Sequence, residues 1–98
     1  MLKKYLITFI WINKQKIFDK EKFNRVMKEL SFERKMRIEG NKSICELVDG
    51  HFLKFSEDGI DKVMNLVKEI VHNVNESIEE DDYSIVVTEF TACKRHNI

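Results

Sequence analysis

The segment Tyr5 to Ile12 reads Tyr-Leu-Ile-Thr-Phe-Ile-Trp-Ile and constrains the fold more than any other stretch of this chain. Its β-branched and aromatic residues suit a pleated strand. Alternate side chains of a strand go to opposite faces, so Tyr5, Ile7, Phe9 and Trp11 share one face and Leu6, Thr8, Ile10 and Ile12 the other. Both sets are apolar. A strand of this kind belongs in the middle of a sheet with both faces covered. Lys3 and Lys4 precede it, but it contains no small-residue cleavage site, so it reads as a strand and not as a signal peptide. No run of about 18 apolar residues occurs anywhere, which predicts no membrane span.

The remaining elements follow from periodicity and punctuation. Asp19 is placed as a helix N-cap, with Phe18 before it and Phe23 after it in the spacing of a hydrophobic staple. Phe23, Val26, Met27 and Leu30 recur at helical spacing, predicting a helix from about Lys20 to Leu30. Between Glu33 and Phe55 the chain is strand-like and broken at Gly40-Asn41 and at Asp49-Gly50. Asp-Gly between β-type runs is a hairpin signal, because both residues tolerate positive φ. Two or three strands are expected there, with the register open. Ser56 is placed as a second N-cap, with Phe55 and Ile60 as its staple. Ile60, Val63, Met64, Leu66, Val67, Ile70, Val71 and Val74 then fill an arc of roughly 160° on a helix. An acidic turn, Glu79-Glu80-Asp81-Asp82, leads into a final strand from Tyr83 to Phe90.

The order is strand, helix, two or three strands, helix, strand. Two helices on one face of an antiparallel sheet, joined by right-handed crossovers, make an α+β domain of the ferredoxin-like split β-α-β type. The whole chain, residues 1–98, reads as one such domain. There is no proline and the three glycines are isolated, so long linkers and solenoid repeats are not expected. With 43% hydrophobic residues the chain is too apolar to be disordered.

Few constellations carry chemistry. Cys45, His51, Cys93 and His96 supply zinc-ligand atoms, and Cys93 to His96 is a C-x-x-H. Zinc sites show two short paired spacings, and only one is present here, so Cys45 reads as a small core residue. Two cysteines do not make a disulfide scaffold and fit a reduced, cytoplasmic protein. There is no nucleophile elbow, P-loop or dinucleotide glycine pattern. His72 falls on the polar face of the second helix and reads as a solvated surface residue. No cofactor, metal or catalytic residue is assigned.

Two resemblances bear on nucleic acids. RNA-recognition motifs share this element order and stack bases on aromatic residues of the two central strands. Gly50-His51-Phe52-Leu53-Lys54-Phe55 is similar to the first of their signature stretches, with Asp49 where a basic residue is usual. Ile10-Trp11-Ile12-Asn13 approaches the second. In outline the chain also resembles the small ribonuclease-like proteins of the CRISPR-adaptation and VapD families. The common points are a strand opening into a loop and helix, and an acidic turn feeding a terminal Ser-Ile-Val-Val strand. That resemblance implies an aspartate near the end of the first strand for metal-assisted cleavage, yet Thr8 to Asn13 contains no acid. Nor do Glu46, Glu57 and Glu89 converge visibly on a divalent ion.

Charge is distributed unevenly. Residues 1–42 hold twelve basic and five acidic side chains, while residues 43–93 hold three basic and twelve acidic ones. The chain as a whole has zero formal net charge, which argues against general nucleic-acid binding. A basic first helix lying beside an acidic second helix accounts for the asymmetry within the molecule. A surface that steers a charged partner is the second, less favoured account. The reading that follows is a non-enzymatic interaction protein, an inhibitor or antitoxin-like factor that occludes a protein partner, a phage anti-defence protein being one such role that no residue selects. A metal-dependent small ribonuclease and a small RNA-binding domain are the alternatives. The helices cover only one side of the sheet, so an aromatic open face is expected to drive homodimerisation or partner binding. Tyr5, Phe9 and Trp11 are assigned to that face, and Glu79, Glu80, Asp81 and Asp82 to an acidic partner-facing turn.

Overall fold

The computed structural model describes residues 2–37, 44–47 and 49–90. Its elements in chain order are β1 (Lys3–Trp11), α1 (Lys20–Glu29), β2 (Lys35–Arg37), β3 (Ile44–Glu46), β4 (His51–Ser56), α2 (Ile60–Val74) and β5 (Tyr83–Phe90). A 3₁₀ turn, Glu80–Asp82, precedes β5. β1 lies between β4 and β5 and is antiparallel to both. Its neighbours therefore run parallel to each other on its two sides, joined through α2. This is an α+β fold, three antiparallel strands in one sheet with two helices, compatible with a small ferredoxin-like arrangement.

The middle strands pair differently from the Asp49-Gly50 hairpin expectation. β3 pairs with β2, in the register Lys35↔Glu46, Met36↔Cys45 and Arg37↔Ile44. β4 pairs with β1 instead. Asp49-Gly50 is a turn, but it joins strands of two different sheets. β4 pairs with β1 along all six of its residues, whereas β3 spans only three. The two-stranded ribbon is tied to the other side of β4 by a bridge between Glu33 and Leu53, whose amides donate to each other's carbonyls at 2.8 and 2.6 Å. The Gly40-Asn41 turn, Cys93 and His96 lie outside the described residues, as does the side chain of Cys45.

A single core joins the Tyr5 face of β1 to both helices. It contains Tyr5, Ile7 and Phe9 with Phe23 and Met27 of α1 and Val63, Val67, Ile70 and Val71 of α2. Phe52 of β4 and Tyr83 of β5 complete it from the flanking strands. Both helices accordingly lie on this face. Among the described residues no helix covers the other face of β1, as expected of helices that lie on one side of the sheet.

Helix ends explain where the elements stop. The Asp19 side chain accepts from the Lys22 amide at 3.0 Å, and the Phe18 and Phe23 rings lie 5.4 Å apart, so the predicted cap and staple are both present. At the other end, the amides of Ser31 and Phe32 donate to the carbonyls of Lys28 and Met27 at 3.0 and 2.9 Å. This is a Schellman closure, and it holds Ser31 at φ 66°, a left-handed conformation usually taken by glycine. Replacing Ser31→Gly should therefore raise stability by about 0.5–1 kcal/mol, read from the urea midpoint. A lowered midpoint would mean that the serine hydroxyl contributes more than its backbone costs.

α2 begins later than Ser56 suggests. Its N-cap is Gly59, without a side-chain cap, and Ser56 Oγ accepts from the Asp58 amide at 3.0 Å in a turn before the helix. The Tyr5 hydroxyl donates to the Asp58 carbonyl at 2.7 Å and ties this turn to β1. Phe55 and Ile60, the expected staple residues, are both exposed.

Candidate functional site

Strand alternation, together with the register, defines the uncovered face. Leu6, Thr8 and Ile10 of β1 stand beside Thr88, Val86 and Ser84 of β5, and Leu6 and Thr8 also oppose Leu53 and His51 of β4. Ile10 is 49% exposed, Val86 50% and Phe55 45%. Ile10 and Val86 are diagonal neighbours across the β1–β5 pair, and Phe55 lies diagonal to Leu6 across the β1–β4 pair. Leu53, though on this face, is buried. Serine, threonine and histidine side chains border these apolar residues.

This placement corrects the residues assigned to the partner surface. Tyr5 and Phe9 are buried under the helices, and Trp11 packs on the same core while its indole N–H donates to the Lys16 carbonyl at 3.2 Å. Phe9 stacks in a cluster with Phe18, Phe23 and Tyr83, with ring centroids between 4.6 and 5.9 Å. Of two apolar faces the helices took the aromatic one, because it removes more surface from water per residue. The open face is consequently less aromatic than expected. In the stretches similar to RNA-recognition motifs, Trp11 and Phe52 point to the core, and Phe55 and the half-buried His51 are the aromatic rings on the open face.

The acidic turn divides into two parts. Asp82 is only 4% exposed and works as an internal anchor. Its carboxylate accepts from Lys16 Nζ at 2.7 Å, from Asn13 Nδ2 at 2.8 Å and from the Glu79 amide at 2.9 Å. Its carbonyl accepts from the amides of Ile12 and Asn13 at 2.9 and 3.1 Å. Lys16 Nζ also donates to the Ser77 carbonyl at 2.9 Å. The loop after β1 is thus fastened to the connection between α2 and β5. Asp82 is a structural residue, not a partner-facing one. Glu79, Glu80 and Asp81 remain exposed, with Glu80 3.7 Å from Lys68.

The Asp82 site makes a prediction about acid. The Glu79 amide, then Lys16, then Asn13 hold its carboxyl down at about 2. A carboxyl depressed in the folded state contributes stability that is complete above the unfolded value near 4 and is lost as pH falls towards 2. Asp82→Asn should be less stable than the wild type at pH 6, and the difference should shrink between pH 4 and pH 2. Urea midpoints of both proteins across that range measure it. A difference independent of pH would dissociate the stability of this turn from the ionised carboxylate.

His72 is not the solvated residue its position on the polar helix face suggests. Its Nε2 lies 2.8 Å from the Tyr83 hydroxyl, and the two rings meet edge to face with centroids 5.5 Å apart. Burial pushes the Tyr83 phenol up, and the nearby Glu80 adds to this. The pair joins α2 to the start of β5. Among the described residues no three histidine, cysteine or carboxylate side chains cluster as metal ligands would.

No helix among the described residues is long and apolar enough to cross a membrane. No protein-family model, curated protein or solved structure matches the chain. The fold and its surfaces are therefore what bears on function.

Proposed function

We propose that this is a non-enzymatic interaction protein of the reducing cytoplasm that binds and occludes a partner through its open sheet face. An inhibitor or antitoxin-like factor, such as a phage anti-defence protein, is the role this reading describes. The observation that supports it is the half-exposed group Ile10, Val86 and Phe55 on one side of a rigid sheet. Apolar residues bordered by polar ones are the anatomy of a binding patch. The exposed carboxylates Glu79, Glu80 and Asp81 add an acidic flank that steers a basic partner surface. A second copy of the chain is one partner this face suits, with a homodimer placing two such faces together.

The test has two stages. Sedimentation equilibrium at micromolar concentration should give a mass above 11.7 kDa if the face self-associates. A monomer directs the search to a partner captured from the native host. In either case Ile10→Lys with Val86→Lys should weaken the association about a hundredfold, because two central apolar anchors become charges that must be desolvated. Circular dichroism controls for folding. A folded double variant that associates as tightly as the wild type would remove the sheet face from consideration.

A further inference from the structure

The ion pairs distribute the molecule's basic charge unevenly. Four of the pairs join the basic and acidic halves of the sequence: Lys3–Glu89, Lys16–Asp82, Lys20–Asp49 and Arg34–Asp49. None of these bridges α1 to α2, so the helices do not neutralise each other in the way a basic helix beside an acidic one suggests. Arg25 and Lys28 form no ion pair among the described side chains, and Lys35 stands opposite Glu46 in the β2–β3 ladder. These three cations are not scattered. Together with Arg34 they line one cleft of about 660 Å³, whose described lining includes one carboxylate, Glu33.

The cleft is built by the closure of α1. Asn24, Arg25 and Lys28 stand on its last two turns, and the left-handed Ser31 reverses the chain so that Glu33, Arg34 and Lys35 form the facing wall. Buried Phe32 and Phe52 make its floor, which places it on the helix-covered side of the sheet, away from the Ile10 face. Arg34 is incompletely satisfied there. Its Nη2 reaches Asp49 only at 3.6 Å, an oxygen pair Asp49 shares with Lys20, and its Nε is buried with no hydrogen-bond partner. The side chain is one-third exposed, so it is the Nε edge alone that lacks an acceptor, and an added acceptor there would remove that cost.

The geometry points to a binding site for a phosphate-bearing ligand in this cleft. Arg25, Lys28 and Lys35, with the partly paired Arg34 beside them, give this concavity a surplus of positive charge that matches a phosphate better than a carboxylate. Its several oxygens also accept from arginine, lysine, the Asn24 amide and the Ser31 hydroxyl together. The volume lies within the range of small-ligand sites. A free phosphate compound and the backbone of a nucleic acid present the same chemistry, and the site reads the phosphate in both. This inference stands apart from the open-face reading and neither requires the other.

Amide NMR of the full chain, titrated with pyrophosphate in one arm and with a short single-stranded RNA in the other, tests it. Saturable shifts should appear from Asn24 to Lys35 and weaken as salt is raised. Arg25→Gln with Lys28→Gln keeps good helix formers and should weaken binding about tenfold or more. If circular dichroism reports that this double variant is unfolded, Lys35→Gln on the facing wall serves instead, with about a fivefold loss expected. RNA binding at least tenfold tighter than pyrophosphate assigns the site to nucleic-acid backbone, and comparable or tighter pyrophosphate binding assigns it to a free phosphate compound. The proposal is overturned if neither probe gives saturable shifts in the cleft, or if a folded variant binds as the wild type does.

Discussion

Phe23→Ala should remove about 3–5 kcal/mol of stability, the cost of deleting a large buried aromatic side chain and leaving a cavity. Phe23 is where α1 meets β1 and β4. Its ring lies 4.6 Å from Phe9 of β1, 5.7 Å from Phe52 of β4 and 5.4 Å from Phe18 at the entry to α1. The staple that orients α1 is lost together with the packing. Against a total stability of about 5–15 kcal/mol for a domain of this size, the loss is a large fraction. Urea denaturation should show a lower midpoint at unchanged slope. A loss below about 1.5 kcal/mol would mean that the neighbouring rings collapse into the space and that α1 is held chiefly by Met27.

Gly50→Ala should cost about 2–3 kcal/mol, far more than one added methyl group ordinarily does. Gly50 sits at φ +87°, and a Cβ there would stand 2.7 Å from the Phe9 carbonyl oxygen. That oxygen belongs to the central strand and cannot move aside without disturbing its ladder. The Gly50 carbonyl also accepts from the Phe9 amide at 2.8 Å, so the turn docks directly on β1. The expected result is a lower thermal midpoint together with faster hydrogen exchange at the Phe9 amide. Retention of wild-type protection at Phe9 in a destabilised variant would locate the strain elsewhere in the turn.

These two positions differ in how far the sequence revealed them. Phe23 was legible as a core residue because Asp19, Phe18 and the spacing of Val26, Met27 and Leu30 are local signals that agree with one another. Gly50 was legible as a turn residue, but its partner was not. A hairpin reading joins the strands on either side of it, whereas β4 pairs with β1, more than forty residues earlier, and β3 pairs with β2. Turn chemistry is encoded within two residues, while strand pairing is a competition among surfaces that only meet on folding. Asp82 illustrates the same limit. In the sequence it is one of four adjacent acids, and its three hydrogen-bonding partners include Asn13 and Lys16, which are distant along the chain.

The basic cleft was half visible. The excess of cations in residues 1–42 is plain from composition, but composition does not say which of them stay unpaired or which share a concavity. That depends on Ser31 taking a left-handed conformation without the glycine that usually announces it.

What the sequence by itself determined was the set of elements: a strand apolar on both faces, two amphipathic helices and a terminal strand, because periodicity and capping act over a few neighbouring residues. Only the tertiary structure decided which face of β1 the helices cover. Alternation sorts Tyr5, Ile7, Phe9 and Trp11 from Leu6, Thr8 and Ile10, but it assigns neither set to the core. The choice went to the aromatic set because the layer of helices gains more by burying those rings than by burying the smaller side chains behind them. The surface left for a partner is the consequence.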